Sequence, residues 1–356
     1  MGDIRLTGVN SIQSMDQWLK VLAGNLTGSN VTGYKQQRVE FADVLSAQMY
    51  GAAGVTTNAA ALPAMSMPMG GNRIRAIKTD FSQGLLAEST RETDLGINGE
   101  GFFILSKSLE PSKIDELVFT RDGSFRLDYV SKGNGEGDFY LVNQEGYYVL
   151  GMEGNKNAYQ PGANNLPGFA KDPVAGSVKY DRISGSSFVV PDPVSGADAL
   201  YGIKPIKVFQ KVSGNTGTER NPAISDETIK FDERGGLLVN GDVTTNDKGE
   251  PAPIFVALAK FQSREGLART SSGSLFAWST AAGDDVVIGS AGSKNLNDTD
   301  VGFDGTQVLG RRLEASNSSV NTTLPEMTIA QKSFTASVKI IQVGNALIDD
   351  VNNLVR

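Results

Sequence analysis

Forty carboxylates and thirty-three lysines and arginines carry most of the chemistry open to this chain, because histidine and cysteine are both absent. That absence removes Ser-His-Asp and Cys-His catalysis, thiol redox chemistry, disulfides and the usual zinc sites together. Carboxylates alone could still hold magnesium or calcium, or cleave a glycosidic bond as a pair about 5–9 Å apart. No Asp/Glu cluster at ligand spacing, no EF-hand loop and no distinct acidic pair occurs to support either. Gly96-Ile97-Asn98-Gly99-Glu100-Gly101 superficially resembles a phosphate loop. Its spacing is the reverse of the dinucleotide fingerprint, and it leads into Phe102-Phe103 rather than a helix. Its glycines are better explained by a tight β corner that needs positive φ. Asn25, Asn30, Asn317 and Asn321 each begin an Asn-x-Ser/Thr triplet. They sit beside the terminal helices, where Asn, Ser and Thr serve as ordinary helix-end residues. No catalytic, cofactor-binding or metal-binding residue is expected.

Charge and hydropathy narrow the partners. A net charge of -7 argues against nucleic acid and anionic membrane surfaces. No apolar run reaches the length of a membrane span, so no membrane insertion is expected. Met1-Gly2-Asp3-Ile4-Arg5 lacks the basic and apolar regions of a cleaved Sec signal. The 356 residues are enough for two or three domains.

The elements that must position whatever function remains lie at the two ends. Ile12, Met15, Leu19, Leu22 and Leu26 are spaced 3-4-3-4, which predicts a helix with a coiled-coil seam over residues 9–27. Met327, Phe334, Ile341, Ile348 and Val355 repeat at every seventh position, and Ile340, Leu347 and Leu354 widen that stripe from the next row. Gln331, Asn345 and Asn352 recur there at multiples of seven, as polar residues that set register do. The breadth of the stripe exceeds what one partner helix needs. Both terminal helices are therefore expected to be interaction helices.

Between them the chain reads as β. Gln36–Met49 is open to a short helix or an extended arm. Forty-one glycines and scattered Asn-Gly and Asp-Gly pairs mark turns. Val118–Leu127 reads as two short strands around Asp122-Gly123, and Phe139–Val142 with Tyr147–Leu150 as a hairpin around Glu145-Gly146. Further strands are expected at Ile203–Val212, Thr228–Phe231, Leu237–Val239, Ile254–Phe261 and Val286–Gly289. Val44–Asn72 carries no charge, and Met65, Met67 and Met69 alternate in it around Pro68. Methionine adapts to surfaces that repack, so this arm is a second candidate for subunit contact. The expected plan is a mainly β protein with helical termini, in which paired N- and C-terminal coiled-coil helices flank a β-rich body of one or two domains. Residues 1–45 and 313–356 form the helical core domain, 46–75 the arm, 76–153 and 221–312 the β body, and 154–220 an inserted outer β domain.

Four motifs, in order, resemble the axial proteins of the bacterial flagellum, the rod and hook family. Leu22-Ala23-Gly24-Asn25-Leu26-Thr27-Gly28-Ser29-Asn30-Val31-Thr32-Gly33-Tyr34-Lys35 is similar to its "ANN-AN-x-T-x-GYK" signature. Thr93–Phe103 is similar to "LDLAINGxGFF", and Phe119-Thr120-Arg121-Asp122-Gly123-Ser124-Phe125 to "YTRDGSF". Leu313-Glu314-Ala315-Ser316-Asn317 with Met327–Phe334 resembles "LEASN…MIxAQRxF". The resemblance implies a non-enzymatic homo-oligomer that polymerises helically into a tube with other rod and hook proteins and transmits motor torque. It also implies passage through the flagellar type III export apparatus without a cleaved signal, to a place in the basal body or hook. The Met-, Ala- and Gly-rich arm is similar to the distal rod protein, while residues 154–220 and the last six residues are hook-like. A secreted β-rich adhesin with oligomerising terminal helices is the reading from another class.

Overall fold

The computed structural model describes residues 2–43, 72–111, 116–133, 136–153, 178–181, 203–208, 229–232, 235–239, 242–243, 254–270, 273–283, 285–291, 303 and 305–354. The protein is mainly β, with one helix near each end. Two compact units divide the chain. One comprises Met1–Ser29, Gln36–Asp80 and Ser318–Arg356; the other comprises Asn30–Lys35 and Phe81–Asn317.

The first unit holds α1 (Gly2–Gly28), α2 (Val320–Leu354) and a two-stranded antiparallel sheet of β1 (Gln37–Asp43) and β2 (Asn72–Thr79). Of the two conformations open to residues 37–43 by sequence, the extended one is found. Val39 and Phe41 alternate there with charged Arg38 and Glu40, a period of two rather than 3.6. α1 and α2 pack along each other in opposite directions: Gly8 meets Ile341, while the Asn25 carbonyl accepts a hydrogen bond from Ser318 Oγ at 2.9 Å. A Cβ on Gly8 would lie 2.5 Å from Ile341 Cγ1, so glycine there lets the helices approach. α1 also packs on the sheet. Ser14 Oγ donates to the Asn72 carbonyl at 3.0 Å, and Trp18 meets Phe41 edge-on at 5.4 Å.

Asn25 shows why its triplet is there. Its Nδ2 donates to the Gln37 carbonyl at 2.7 Å and its Oδ1 accepts from the Gln37 N–H at 2.8 Å, so the buried amide fixes where β1 begins. The side chain holds the strand, where helix capping is expected from sequence.

The second unit is built on β5 (Phe102–Ser106), which follows the shorter strands β3 (Leu86–Glu88) and β4 (Leu95–Asn98) in the chain. β3 pairs antiparallel with Arg312–Glu314 and β4 with Gln307–Gly310. β5 pairs antiparallel with β6 (Leu117–Thr120), with Tyr148–Glu153 and with Leu258–Phe261. Successive side chains of β5 point to opposite faces, and both faces are covered. Phe103 and Leu105 enter a core with Leu141, Val149, Leu258 and Val287. Phe102 and Ile104 enter another with Phe119, Phe261 and Phe276, where Phe119 and Phe261 meet edge-to-face at 4.7 Å.

Three sequence expectations change. Val118–Leu127 does contain two strand segments, β6 and the start of Arg126–Gly133, but they do not pair. β6 joins β5 and Leu275–Ala277, while Arg126–Gly133 joins Glu136–Val142. Asp122 Oδ1 accepts from Ser124 N–H and Oγ, and the Gly123 carbonyl accepts from Leu95 N–H, so the chain bends away to new partners. Residues 203–208, assigned by sequence to the outer domain, pair with the body strands Glu136–Val142 and Tyr148–Glu153 and bury Ile206. Residues 72–75, the end of the expected arm, belong instead to β2, where they pair with β1.

Gly123 is the tightest point of this unit: a Cβ there would sit 1.7 Å from the Leu95 carbonyl oxygen. Gly123→Ala should therefore destabilise the protein by at least about 3 kcal/mol, the upper range for overpacking, because backbone rather than a movable side chain blocks it. Urea unfolding followed by far-UV circular dichroism checks this.

Candidate assembly interface and its supporting ion cluster

The terminal helices present two different faces. On α2 the buried positions are Thr323, Ala330, Ser337 and Gly344, spaced by seven. Four residues after each come Met327, Phe334, Ile341 and Ile348, all half-buried. The helix thus closes its seam with small residues alternating with large ones, and the large row is the one legible in the sequence. On α1, Met15 and Leu22 are buried, and Ile12, Leu19 and Leu26 are half-buried. Val355, Met65, Met67 and Met69 lie outside the described residues. Asp43 and Asn72, the described residues on either side of the Met-rich stretch, pair with each other.

A second apolar face runs along α2. Ile329, Ile340, Val343, Leu347, Val351 and Leu354 are exposed, at 39% to 86% of their surface. At about 100° per residue, the half-buried large row lies about 40° to one side of the small buried row. Ile329, Ile340, Val343, Leu347 and Leu354 lie about 60–100° to the other side. The small row therefore divides the stripe, and Ile340, Leu347 and Leu354 form a separate surface rather than the edge of one wide stripe. Gln331, Asn345 and Asn352 are exposed and set no register in the α1–α2 seam.

Within the second unit, residues from all four motifs converge on one buried ion cluster that has no local signature in the sequence. Glu314 is fully buried. Its Oε1 accepts from Lys35 Nζ at 2.6 Å and from the Gly84 N–H at 2.7 Å, and its Oε2 from Arg121 Nη1 at 3.2 Å. Lys35 Nζ also donates to the Ser82 carbonyl at 2.7 Å, and Arg121 Nη2 to the Gly99 carbonyl at 2.8 Å. The Glu314 carbonyl takes the Gly33 N–H at 2.7 Å. Gly33 has φ of +66°, and a Cβ on it would meet Asp122 N at 2.3 Å, so only glycine allows that approach. Arg269 donates to the Lys35 carbonyl and stacks its guanidinium 4.4 Å from the Tyr34 ring. Burial lowers the Arg121 pKa, and the charge of Glu314 opposes that shift. The cluster has the chemistry of a structural fastener, since Lys35, Arg121 and Glu314 each meet an opposite charge and a backbone group.

Glu100 offers a surface contrast. It pairs with Lys260 at 2.9 Å and Arg264 at 3.4 Å while half exposed. The hydrogen bond from Lys260 holds its pKa below the usual carboxylate value, against the opposing effect of burial. Gly99 and Gly101 beside it have φ of +117° and +126°, the corner geometry expected for this segment. Among the described residues, no helix is long and apolar enough to cross a membrane.

Comparison with known proteins bears on the C-terminal motif directly. Residues 310–354, which span Glu314 and α2, match the family described as flagellar basal body rod FlgEFG protein C-terminal. The flagellar hook protein FlgE of Rhizobium meliloti (strain 1021) is 24% identical, with 98% of each chain covered. The flagellar basal-body rod protein FlgG of Borreliella burgdorferi is 32% identical over 40% of this chain and 49% of its own. The flagellar hook protein FlgE of the same organism is 29% identical over 42% of this chain and 32% of its own. The chain thus spans a third to a half of these two Borreliella relatives.

Glu314→Gln leaves Lys35 and Arg121 buried without their anion, and should cost about 3–5 kcal/mol of stability. Glu100→Gln should cost less than about 1 kcal/mol, because solvent screens that pair. The Glu100 contribution is present above the unfolded-state pKa and fades as pH falls through the lowered folded-state value, so the E100Q difference should vanish in acid. Denaturant titrations of the three proteins at neutral and acid pH measure both effects.

Proposed function

We propose, from the premise that this chain belongs to the flagellar rod and hook family, that it is a structural subunit that polymerises helically into a torque-transmitting segment of the flagellar axis. The exposed apolar face of α2 carries this reading. Its large side chains, left open to water beside a seam already closed by α1, would each gain up to about 1.5–3 kcal/mol on full burial against neighbouring subunits. The four motif segments lock the β unit through Glu314, consistent with a mechanical rather than catalytic part. Its relatives are structural proteins of the hook and basal body. On this reading the paired terminal helices act as a coiled-coil core domain. Partners are further copies of the chain, other rod and hook proteins, and the type III export apparatus. Its place is the basal body or hook. The subunit-contact residues are Ile12, Met15, Leu19, Leu22 and Leu26 on α1, the Met327–Val355 stripe on α2, and Met65, Met67 and Met69 of the arm. The outward row of α2 is added to them.

Ile340→Asp with Leu347→Asp should abolish tube formation while leaving monomer stability within about 0.5 kcal/mol of the parent, since both residues are exposed. Ile341→Asp should instead destabilise the helical unit by several kcal/mol, because its carboxylate would be pressed against Gly8 of α1. Electron microscopy and thermal melts separate the two. Normal tubes from the double variant would remove the outward face from the interface.

The arm is proposed as a joint between subunits along the tube. Deleting Gly51–Gly70 leaves residues 44–50 and 71 to connect strand ends already paired at Asp43 and Asn72, enough for a hairpin loop. The variant should keep its circular dichroism signal and give tubes that bend more easily or break. Unchanged tube stiffness and length would make the arm a passive linker.

A further inference from the structure

Asn98-Gly99 is the dipeptide type most prone to spontaneous deamidation, because glycine leaves its own amide nitrogen free to attack the preceding side chain. In that reaction the Gly99 nitrogen loses its proton and bonds to Asn98 Cγ, and ammonia leaves to give a succinimide. Water then opens the ring to aspartate or isoaspartate. Asn98 is exposed, at the end of β4, so solvent reaches it. Gln83 spans both reacting groups. Its Oε1 accepts the Gly99 N–H at 3.1 Å, and its Nε2 lies 3.4 Å from Asn98 Oδ1 and donates to the Ile97 carbonyl at 3.2 Å. The far side of Gly99 is also held, since its carbonyl accepts from Arg121.

We propose that Gln83 is a protecting clamp for a modification-prone Asn98-Gly99 site, blocking succinimide formation by holding the Gly99 N–H in a hydrogen bond directed away from the Asn98 side-chain carbon. Attack requires the Gly99 nitrogen to turn toward Asn98 Cγ and shed its proton. While the N–H points at Gln83 Oε1 it does neither. The extended backbone of β4, with Asn98 paired to Gln307 on the neighbouring strand, opposes the same rotation. Conversion to isoaspartate would insert a methylene into the backbone between β4 and the Gly99–Gly101 corner. It would therefore also disturb the carbonyl on which Arg121 is anchored.

The test uses the full chain at pH 8 and 37 °C, with deamidation at Asn98 followed by peptide mapping. The parent should react far more slowly than a free peptide spanning Ile97–Gly101. Gln83→Met, which lacks both polar groups, should accelerate the reaction about tenfold, the effect of losing one to two hydrogen bonds from the ground state. Gln83→Glu keeps an acceptor for the Gly99 N–H and should stay near the parent rate. Hydrogen exchange supplies an independent reading: the Gly99 amide should be protected in the parent and exchange faster in Q83M. Equal deamidation in parent and Q83M, or a Gly99 amide exchanging at the free-peptide rate in the parent, would overturn the proposal.

Discussion

Glu314 carries the constraint on which the rest of the β unit depends. A lone carboxylate removed from water costs several kcal/mol, and so does each buried cation near it. None of the three is tolerable alone, so Lys35, Arg121 and Glu314 must arrive together. Their backbones come with them: Gly33 closes on the Glu314 carbonyl, Gly84 on its carboxylate, and Arg121 reaches back to Gly99. Segments far apart in the chain are thereby pinned at one point without a disulfide. A chain without cysteine has no covalent alternative for that task.

The helical unit solves a different problem. Its α1–α2 contact must be close yet leave apolar surface uncovered. Small residues at Thr323, Ala330, Ser337 and Gly344, with Gly8 opposite Ile341, bring the helices near without consuming the large side chains. Ile340, Val343 and Leu347 are then left on the outer face. Had the buried row been leucine, the same helix would have needed more separation. The small row is what allows one helix to serve an internal partner and, on the proposed reading, external ones.

Much of this is legible in residue patterns, and what is hidden has a physical reason. The terminal helices and the strands at Leu237–Val239 and Val286–Gly289 follow from apolar periodicity. The Gly99–Gly101 corner follows from glycine spacing. The small seam escapes notice because hydrophobicity gives no weight to Ser337 or Gly344, although their seven-residue repeat with Thr323 and Ala330 is present. The pairing around Asp122-Gly123 misleads because a local turn signal does not reveal which distant strand wins the edges. The ion cluster is invisible since Lys35 and Glu314 are 279 residues apart, and charge pairing at that range leaves no local pattern.

That separation also bears on when the fold can close. A loop of this length costs entropy to shut, and the offsetting contacts form only when both ends are present. Until Glu314 is available, Lys35 and Arg121 have no anion to compensate their burial, so the β unit cannot settle into its final packing around them. A chain delivered in extended form would stay without its fastener until nearly all of it had emerged. In the proposed reading, completion of the β unit and availability of α2, which begins six residues after Glu314, then become a single late event. The outward apolar face would be presented only by subunits whose body is already locked.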